Sequence, residues 1–462
     1  MFGTSGVRGP VGETVTAGLA LEISRAVAVD ADRIVVGRDA RDSGRALVDA
    51  VAAGAVECGA DVIDLGVAAT PTVARAIAAR DAGAGIVVTA SHNPPEDNGI
   101  KLWTPSGQAF DTAQQDEIER RIEDGEVPYA AWDEHGTRTA WDGGKAAHCD
   151  ALVDAGRRWA GTDDAGGGDA SDTPDAAAED APLEGLSIAV DVGNGTGAVT
   201  ADALYDLGAA VTTLNAQPDG RFPARPSEPT AETCRGLVAH VAGTDADLGI
   251  AHDGDADRMM AVTGEASFVS GDELLAVFGA EAAAEGERIA APVDTSLAVD
   301  DALAERGASV VRTRVGDVYV AERTRDSGVV FGGEPSGAWI FPNETRCPDG
   351  PLAAVVLAAL AADRPLADRV TDVPDYPIRR ETIETDEKAT AMAAVTDRVR
   401  ASYDDVSDID GVRVGLDDGW FLVRASGTQP LIRLTAEARD PDRADEILAD
   451  VREIVEDALG AI

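Results

Sequence analysis

The sequence predicts an α/β protein made of several domains, and three observations support this fold class. Segments typical of buried strands alternate with segments typical of amphipathic helices, which indicates βαβ units around a parallel or mixed sheet. The alternation occurs in three rounds along the chain. At 462 residues, the chain is longer than one hydrophobic core usually supports, so we expect three or four domains.

The first round contains the most regular alternation. Its segments are a strand and turn at 33–44, a helix at 45–60, a strand at 61–66, a helix at 70–83 and a strand at 84–90. After this last strand the chain meets a serine, a histidine and two prolines, and we predict a turn at the Asp-Asn-Gly sequence 97–99. The round is assigned to a first α/β domain at 1–150.

The alternation stops in a stretch rich in Gly, Ala, Asp and Pro, which is typical of a linker or a disordered insertion. We place this acidic linker at 151–182. Two further α/β domains are predicted at 183–263 and 264–370. The remaining part, 371–462, combines strand, loop and strand with helices, and it is predicted to be a smaller α+β domain.

The charge of the chain is strongly negative. Acidic residues number 84 against 39 basic ones, the formal net charge is −45, and only three lysines occur, Lys101, Lys145 and Lys388. We interpret this as a halophilic property, a folded protein whose acidic surface is screened by concentrated salt. Because no basic stripe is present, nucleic acid and anionic membrane are disfavoured as partners.

Two further patterns concern the compartment. No apolar run approaches the roughly 20 residues that span a bilayer, and the N-terminus lacks the pattern of a signal peptide, so we expect a soluble cytoplasmic protein. The cysteines contain no CxxC pair and are interpreted as buried small hydrophobes or free thiols. They are Cys58, Cys149, Cys234 and Cys347.

The segment "HDGDADR" places Asp253, Asp255 and Asp257 at alternate positions directly after a predicted strand. Like charges about 4 Å apart repel by about 4 kcal/mol at an effective dielectric of 20, so three converging carboxylates indicate a bound cation. Oxygen ligands favour Mg²⁺ or Ca²⁺. An EF-hand is excluded because its sixth and twelfth positions would be Arg258 and Gly264. A solvated acidic turn is the alternative.

The segment "VVTASHNPP" places Ser91 at the end of a predicted strand, where α/β sheets carry their sites. A turn serine or a helix N-cap is the simpler interpretation. A Ser-His-Asp hydrolase is disfavoured, since no Gly-x-Ser-x-Gly elbow occurs and His92 is adjacent in sequence. A serine that carries phosphate would need a metal and nearby cations, and His92, Lys101 and Arg8 are the candidates.

Two later loops suit a sugar and a phosphate. Glu334 and Ser336 lie between glycines after a predicted strand, where a carboxylate and a hydroxyl suit vicinal sugar hydroxyls; a plain turn is equally open. In "VRASGTQPLIR", small residues let backbone N–H groups approach a phosphate and arginines flank them, with a hairpin loop as the alternative. The residues concerned are Arg424, Ser426, Gly427, Thr428 and Arg433.

Taken together, these segments resemble the α-D-phosphohexomutase superfamily, which includes archaeal-type phosphoglucosamine mutases and phosphoglucomutase/phosphomannomutase enzymes. Five motifs, "FGTSGVRG", "TASHNP", "DGDADR", "GEPSG" and "RASGTQP", match in the family order across nearly the whole chain. "RTRVGDVYV", with Gly316 and Asp317, is a sixth match. The resemblance implies four domains around a central cleft, three similar α/β domains and a smaller C-terminal one.

The resemblance also implies a role for each site residue. Ser91 would be the phosphoserine and would bind one Mg²⁺ together with Asp253, Asp255 and Asp257. The residues at the reacting end would be Arg8, His92, Lys101 and Arg258. The sugar would be bound by Gly316, Asp317, Glu334 and Ser336, and the other phosphate by Arg424, Ser426, Gly427, Thr428 and Arg433.

The implied reaction interconverts a hexose 6-phosphate and a hexose 1-phosphate through a hexose 1,6-bisphosphate, which would also act as activator. Ala338 stands where many relatives have histidine, so proton transfer would pass to His92 or Lys101, or the role is dispensable. Glucosamine phosphate is the favoured substrate, with glucose and mannose phosphates as alternatives. More remote alternatives are a phosphoserine-based phosphatase and a non-catalytic sensor of sugar phosphates.

Overall fold

The computed structural model describes residues 1–3, 6–127, 129–161, 181–426 and 430–460. The chain folds as two compact units. The first contains Met1–Leu274 and Ser336–Val370, and the second contains Leu275–Pro335 and Thr371–Ile462. Residues 336–370 therefore belong to the same unit as the N-terminal part of the chain, although they directly follow residues 275–335 of the second unit.

The first unit begins with a mixed sheet of six strands in the order β1-β5-β4-β2-β3-β6. The strands are β1 (Val7–Pro10), β2 (Arg33–Arg38), β3 (Asp61–Val67), β4 (Ala84–Val88), β5 (Asp97–Trp103) and β6 (Arg138–Ala140). β2 is parallel to β3 and β4, while β5 is antiparallel to both of its neighbours. The carboxyl ends of β2 and β4 therefore lie side by side.

Five helices accompany this sheet: α1 (Ala17–Val27), α2 (Gly44–Glu57), α3 (Thr70–Ala79), α4 (Thr112–Asp124) and α5 (Gly144–Trp159). Local capping explains where two of them begin. The Thr16 side chain accepts a hydrogen bond from the N–H of Leu19, and Asp111 and Gln114 form a capping box at the start of α4. The apolar faces of α1 and α2 pack with the sheet in one core cluster.

The turn predicted at 97–99 is wrong, because these residues form the start of β5. Asn98 and Gly99 pair with Gly9 and Arg8 of β1, so the Asp-Asn-Gly sequence lies in the ladder. Turn residues appear in a strand here because Gly99 has no room for a side chain. A Cβ atom at this position would lie 2.5 Å from the carbonyl oxygen of Thr89 and 2.6 Å from that of Val7.

A second mixed sheet of the first unit has the order β11-β10-β9-β7-β8. Its strands are β7 (Ser187–Asp191), β8 (Ala210–Leu214), β9 (Leu248–His252), β10 (Met259–Thr263) and β11 (Phe268–Val269), and the unit also contains β15 (Trp339–Ile340). Its other helices are α6 (Ala198–Asp206), α7 (Arg235–Ala242) and α11 (Gly350–Asp363). The fully buried β9 ends where the aspartate triplet begins.

The linker predicted at 151–182 is wrong over its first nine residues, because 151–159 form the second half of α5. Leu152, Ala155 and Gly156 are buried there. A Cβ atom on Gly156 would lie 2.5 Å from Leu207 and 2.8 Å from Val355, so this helix packs closely on its neighbours. Small residues that permit close helix packing resemble a linker in composition. Residues 162–180 lie outside the described part of the chain.

The second unit contains a parallel set of strands and an antiparallel sheet. The parallel strands, in the order β13-β12-β14, are β12 (Arg288–Pro292), β13 (Ser309–Thr313) and β14 (Val329–Gly333). The antiparallel sheet, in the order β16-β20-β19-β18-β17, contains β16 (Ile378–Glu384), β17 (Val406–Ser407), β18 (Val412–Leu416), β19 (Gly419–Ala425) and β20 (Leu431–Ala438). The helices are α9 (Leu297–Ala304), α10 (Asp317–Arg323), α13 (Lys388–Ser402) and α14 (Pro441–Gly460); α8 (Gly271–Ala282) and α12 (Leu366–Thr371) span unit boundaries.

Three α/β sheets followed by an antiparallel α+β region confirm the predicted fold class. Within the described residues, no helix is both long and apolar enough to cross a membrane. All four cysteines are unpaired; Cys149, Cys234 and Cys347 are buried and Cys58 is partly buried. The interpretation of the cysteines as small apolar residues or free thiols is confirmed.

Candidate active site

Ser91 lies just beyond the carboxyl end of β4. It is buried, with 1% of its surface exposed. Its Oγ donates a hydrogen bond of 2.6 Å to Asp253 Oδ2 and lies 3.3 Å from Asp257 Oδ1. The structure therefore brings together the predicted phosphoryl carrier and two of the predicted metal ligands.

The three aspartates that follow β9 converge on one buried point. Ligand atoms of Asp253, Asp255 and Asp257 all lie within 4.8 Å of one another. The loop that carries them is held to the first sheet, because Thr70 donates its hydroxyl to Asp255 Oδ2 at 2.6 Å and its N–H to the Asp255 carbonyl oxygen at 2.9 Å. The start of α3 thus holds the loop that supplies all three carboxylates, although the two segments are far apart in sequence.

Electrostatics make this triplet costly without a cation. Burial, followed by repulsion from Asp257 and Asp255, raises the pKa of Asp253 well above its ordinary range. Burial also opposes ionisation of Asp255, but Lys101 and the Thr70 hydroxyl outweigh it and hold the pKa of Asp255 below its ordinary value. Protonation of one carboxyl group is therefore favoured. A divalent cation would offset the repulsion between the carboxylates and favour their ionised forms.

The donor set fits a hard cation. Carboxylate oxygens are the ligands that Mg²⁺ and Ca²⁺ prefer. Asp255 Oδ1 is buried and accepts no hydrogen bond from any donor among the described residues. A buried charged oxygen without a donor is costly, and a metal ion is the partner that would satisfy it.

Positively charged and imidazole groups surround the triplet. Lys101 is buried; its Nζ contacts Asp257 Oδ2 and lies 3.2 Å from Asp255 Oδ2. The backbone N–H of Arg258 donates to Asp253 Oδ1 at 3.2 Å. His92 Nδ1 lies 3.5 Å from Ser91 Oγ. Burial, followed by repulsion from Arg258 and Arg8, lowers the pKa of His92 to about 3, so its imidazole is neutral at pH 7.

The predicted sugar loop is divided between the units. In the second unit, Glu334 Oε1 accepts a hydrogen bond of 2.7 Å from the N–H of Gly316, and Asp317 is the first residue of α10. Ser336 belongs to the first unit, where the chain continues beside Arg258, which pairs with Ala338. Gly316, Asp317 and Glu334 are thus close together, and Ser336 belongs to the same unit as the aspartate triplet.

The predicted phosphate loop joins β19 to β20 in the second unit. Arg424 and Arg433 are direct partners across these strands, and Arg424 Nη1 lies 3.2 Å from Asp410 Oδ2. Ser426 receives a hydrogen bond of 2.6 Å at its carbonyl oxygen from Lys388 Nζ. The predictions for Gly427 and Thr428 fall outside the described residues.

Sequence reasoning missed several polar residues that support the site. Thr70 donates its hydroxyl to Asp255, and Arg41 donates to the carbonyl oxygen of Ser91. Asp39 accepts a hydrogen bond from the Thr89 hydroxyl. A signal was present for two of these residues, because "DAR" at 39–41 directly follows β2, at the same sheet edge as Ser91. Lys388, which donates to the carbonyl oxygen of Ser426, was not predicted to support a site.

Four family models match the chain in order. They are the phosphoglucomutase/phosphomannomutase alpha/beta/alpha domains I at residues 1–128, II at 172–266 and III at 270–376, and the C-terminal domain at 381–454. The predicted four-domain architecture is confirmed by these matches.

Known proteins resemble the chain over its whole length. A protein of Methanopyrus kandleri named probable phosphoglucosamine mutase is 44% identical, over 98% of this chain and 97% of that protein. A protein of Methanosarcina barkeri with the same name is 42% identical, over 99% of each. The crystal structure of a phosphoglucomutase/phosphomannomutase family protein from Burkholderia thailandensis has a TM-score of 0.82 at 27% identity, covering 99% of this chain and 98% of that one.

The chain belongs to the phosphoglucomutase/phosphomannomutase family. It is an enzyme of the isomerase class, a phosphohexomutase, as the sequence motifs predict.

Proposed function

We propose that this phosphohexomutase interconverts glucosamine 6-phosphate and glucosamine 1-phosphate, with Ser91 as the phosphoryl carrier. The observation that carries the proposal is the 2.6 Å hydrogen bond from Ser91 Oγ to Asp253 Oδ2 within the buried aspartate triplet. The choice of glucosamine is supported by relatives at 37% to 44% identity that are named probable phosphoglucosamine mutases. Glucose and mannose phosphates are the alternative substrates.

The reaction would take place in two transfers. In the first, the bond from phosphorus to Ser91 Oγ breaks and a bond forms to the free hydroxyl oxygen of the sugar monophosphate. That hydroxyl loses its proton, the serine oxygen gains one, and a 1,6-bisphosphate results. In the second transfer the bond from the other phosphorus to its sugar oxygen breaks and a bond forms to Ser91 Oγ. The serine hydroxyl loses its proton and the sugar oxygen gains one, which leaves the isomeric monophosphate. Added hexose 1,6-bisphosphate would phosphorylate idle enzyme in the same way.

The chain's own residues would hold the reacting groups. Asp253, Asp255 and Asp257, with the phosphate on Ser91, would bind one Mg²⁺. When bound, this ion would supply neutralising charge for the transferring phosphoryl oxygens. Proton transfer is assigned to His92 or Lys101, the candidates nearest Ser91 and the triplet.

The remaining site residues would bind the substrate. Arg8, Arg258 and Lys101 would surround the transferring phosphate with positive charge. The sugar hydroxyls would be bound by Gly316, Asp317, Glu334 and Ser336, and the non-reacting phosphate by Arg424, Ser426, Gly427, Thr428 and Arg433.

The test is ³¹P NMR of the purified enzyme in molar salt with Mg²⁺ and a trace of hexose 1,6-bisphosphate. Glucosamine, glucose and mannose 1-phosphates are supplied in separate samples. We expect conversion to the 6-phosphate, fastest with glucosamine phosphate, and no conversion by Ser91→Ala.

The same spectra distinguish the alternatives. Faster conversion of glucose or mannose phosphate would change the substrate but keep the mechanism. Accumulation of inorganic phosphate would indicate a phosphatase. Absence of conversion by folded, phosphorylated enzyme, or full activity of Ser91→Ala, would contradict the proposal.

A further inference from the structure

The backbone of Ser91 has an unfavourable conformation. Its φ angle of 51° lies in the left-handed region, which costs a residue other than glycine roughly 1 kcal/mol or more. Such a conformation persists where surrounding contacts hold it. The contacts of the Ser91 peptide groups are therefore informative about how the hydroxyl is positioned.

The guanidinium of Arg41 holds the carbonyl oxygen of Ser91 at 2.9 Å through Nη2. The same nitrogen donates to the carbonyl of Asn93 at 2.6 Å, while Nη1 donates to the carbonyls of Pro94 and Asp97. Arg41 is fully buried. One side chain therefore binds four carbonyl groups between Ser91 and the start of β5.

A second contact to the same carbonyl comes from the loop before α7. Ser227 Oγ donates to the Ser91 carbonyl oxygen at 3.1 Å and accepts from the N–H of Gly254 at 2.9 Å. Gly254 lies between Asp253 and Asp255. This hydroxyl thus ties the peptide of the predicted nucleophile directly to the loop of the predicted metal ligands.

The N–H of Ser91 is held as well. It donates to Thr89 Oγ1 at 2.8 Å, and the Thr89 hydroxyl donates to Asp39 Oδ2 at 2.7 Å. Asp39 also accepts from Arg41 Nε at 3.0 Å. Both peptide groups of Ser91 are therefore anchored in one buried network that contains a compensated ion pair.

We propose that Arg41 and Ser227 are positioning residues for phosphoryl transfer. By holding the Ser91 carbonyl oxygen from two sides, they stabilise the left-handed conformation and keep Oγ against the aspartate triplet. Neither side chain needs to touch the substrate for this role. The inference rests on the proposed function of Ser91 as the phosphoryl carrier.

The experiment compares the full-length wild type with Arg41→Lys and Ser227→Ala. Lysine keeps the charge of Arg41 but not its planar fork, so it cannot hold four carbonyls. Ser24→Ala is the matched control for Ser227→Ala, since Ser24 is also buried but donates its hydroxyl to the Leu21 carbonyl within α1. The measurements are kcat, KM for glucosamine 1-phosphate, the melting temperature and phosphate bound to Ser91.

We expect kcat to fall about tenfold or more in Arg41→Lys and about threefold or more in Ser227→Ala, because displacements of about 1 Å cost up to about 100-fold. KM is expected to change less than about twofold, since the lost interaction acts on the reacting group. Ser24→Ala is expected to keep the wild-type kcat. If Arg41→Lys does not fold, the kcat of Ser227→Ala tests the proposal.

The wild-type measurements separate this inference from the proposed function. Active wild type without phosphate on Ser91 would overturn both. Phosphorylated, active wild type together with unchanged kcat in the folded variants would overturn the positioning role alone. A fall in kcat that merely matches a smaller folded fraction would also overturn it.

Discussion

Asp255 is the aspartate whose contacts argue most directly for a bound cation. One of its oxygens is bonded to Thr70 and Lys101, and the other is buried and accepts no hydrogen bond from the described donors. Asp253 and Asp257 contact the Ser91 hydroxyl instead. The three side chains therefore differ in role, although they look equivalent in the sequence.

Replacing Asp255 tests the metal site. In Asp255→Asn we expect kcat to fall at least about 100-fold, the loss typical for removal of one group that stabilises a transition state. Mg²⁺ affinity, measured by isothermal titration calorimetry, is expected to fall with it.

The matched control is Asp247→Asn, which makes the same change at an exposed aspartate that bonds to the N–H of Ser187. Its activity should equal that of the wild type. Wild-type Mg²⁺ affinity in Asp255→Asn would contradict the assignment of this carboxylate as a ligand.

His148 is a buried histidine away from the triplet. It lies against Asp349, 3.3 Å from Oδ2, and Arg75 Nε bonds the same carboxylate oxygen at 2.8 Å. Burial lowers the pKa of His148 below its ordinary value, although Asp349 acts in the opposite direction. Arg75 supplies the counter-charge for Asp349, and its own positive charge also lowers the pKa of His148.

This lowered pKa predicts a pH dependence of stability. Between the folded-state pKa and the ordinary value of about 6.5, the unfolded chain binds more protons than the folded one, so stability is lost as pH falls below about 6.5. Urea unfolding between pH 7.5 and pH 5 at fixed salt measures this, because histidine is the side chain whose unperturbed pKa lies in that range. His148→Gln should reduce the slope; an unchanged slope would contradict the prediction.

Helices α1 and α2 are in very close contact at Gly54. A Cβ atom there would lie 2.5 Å from the carbonyl oxygen of Leu21 and 2.2 Å from Ser24 Oγ. Backbone atoms cannot yield as a flexible side chain can. The absence of a side chain at this position therefore sets how closely the two helices approach.

Gly54→Ala is expected to lower the free energy of unfolding by about 1 to 3 kcal/mol through overpacking, despite the better helix propensity of alanine. The control is Gly236→Ala in α7, where no heavy atom lies within 4 Å of the added Cβ. That change should be neutral or stabilising. Equal stability of the two variants in chemical unfolding would contradict the packing argument.

Exposed arginines pair with part of the excess of carboxylates on this strongly acidic molecule. Arg120 pairs with Glu117, Asp124 and Glu126, and Arg138 pairs with Asp49 and Asp64. Such exposed pairs contribute little individually. A net charge of −45 leaves most carboxylates to repel one another, so repulsion outweighs these attractions.

Salt should therefore stabilise the fold. Lowering KCl from about 1 M to about 0.1 M lengthens the Debye length from about 3 Å to about 10 Å. We expect the melting temperature to fall by roughly 5 °C or more over this range. Chloride and sulfate salts are compared at equal ionic strength, because sulfate also strengthens apolar burial. A melting temperature that does not respond to KCl would contradict the halophilic interpretation.

Much of the fold and the chemistry was readable from local patterns. The alternation of strands and helices identified most elements from β2 onward, and the position of Ser91 after β4 and of the triplet after β9 is a matter of adjacent residues. Composition gave wrong predictions at two places where small or turn-forming residues are required by close packing. The small residues of α5 resembled a linker, and Asp97 to Gly99 resembled a turn.

The sequence alone determined the fold class, the family motifs and the excess of acidic charge, since periodicity, adjacency and composition are local properties of the chain. Tertiary structure alone decided which groups meet. Thr70 bonds to Asp255 across 185 positions, and Arg41 bonds to Ser91 across 50. No local pattern encodes such pairs, because they depend on how separate strands and loops pack. That packing places the predicted nucleophile, its supporting groups and the carboxylates in one buried site.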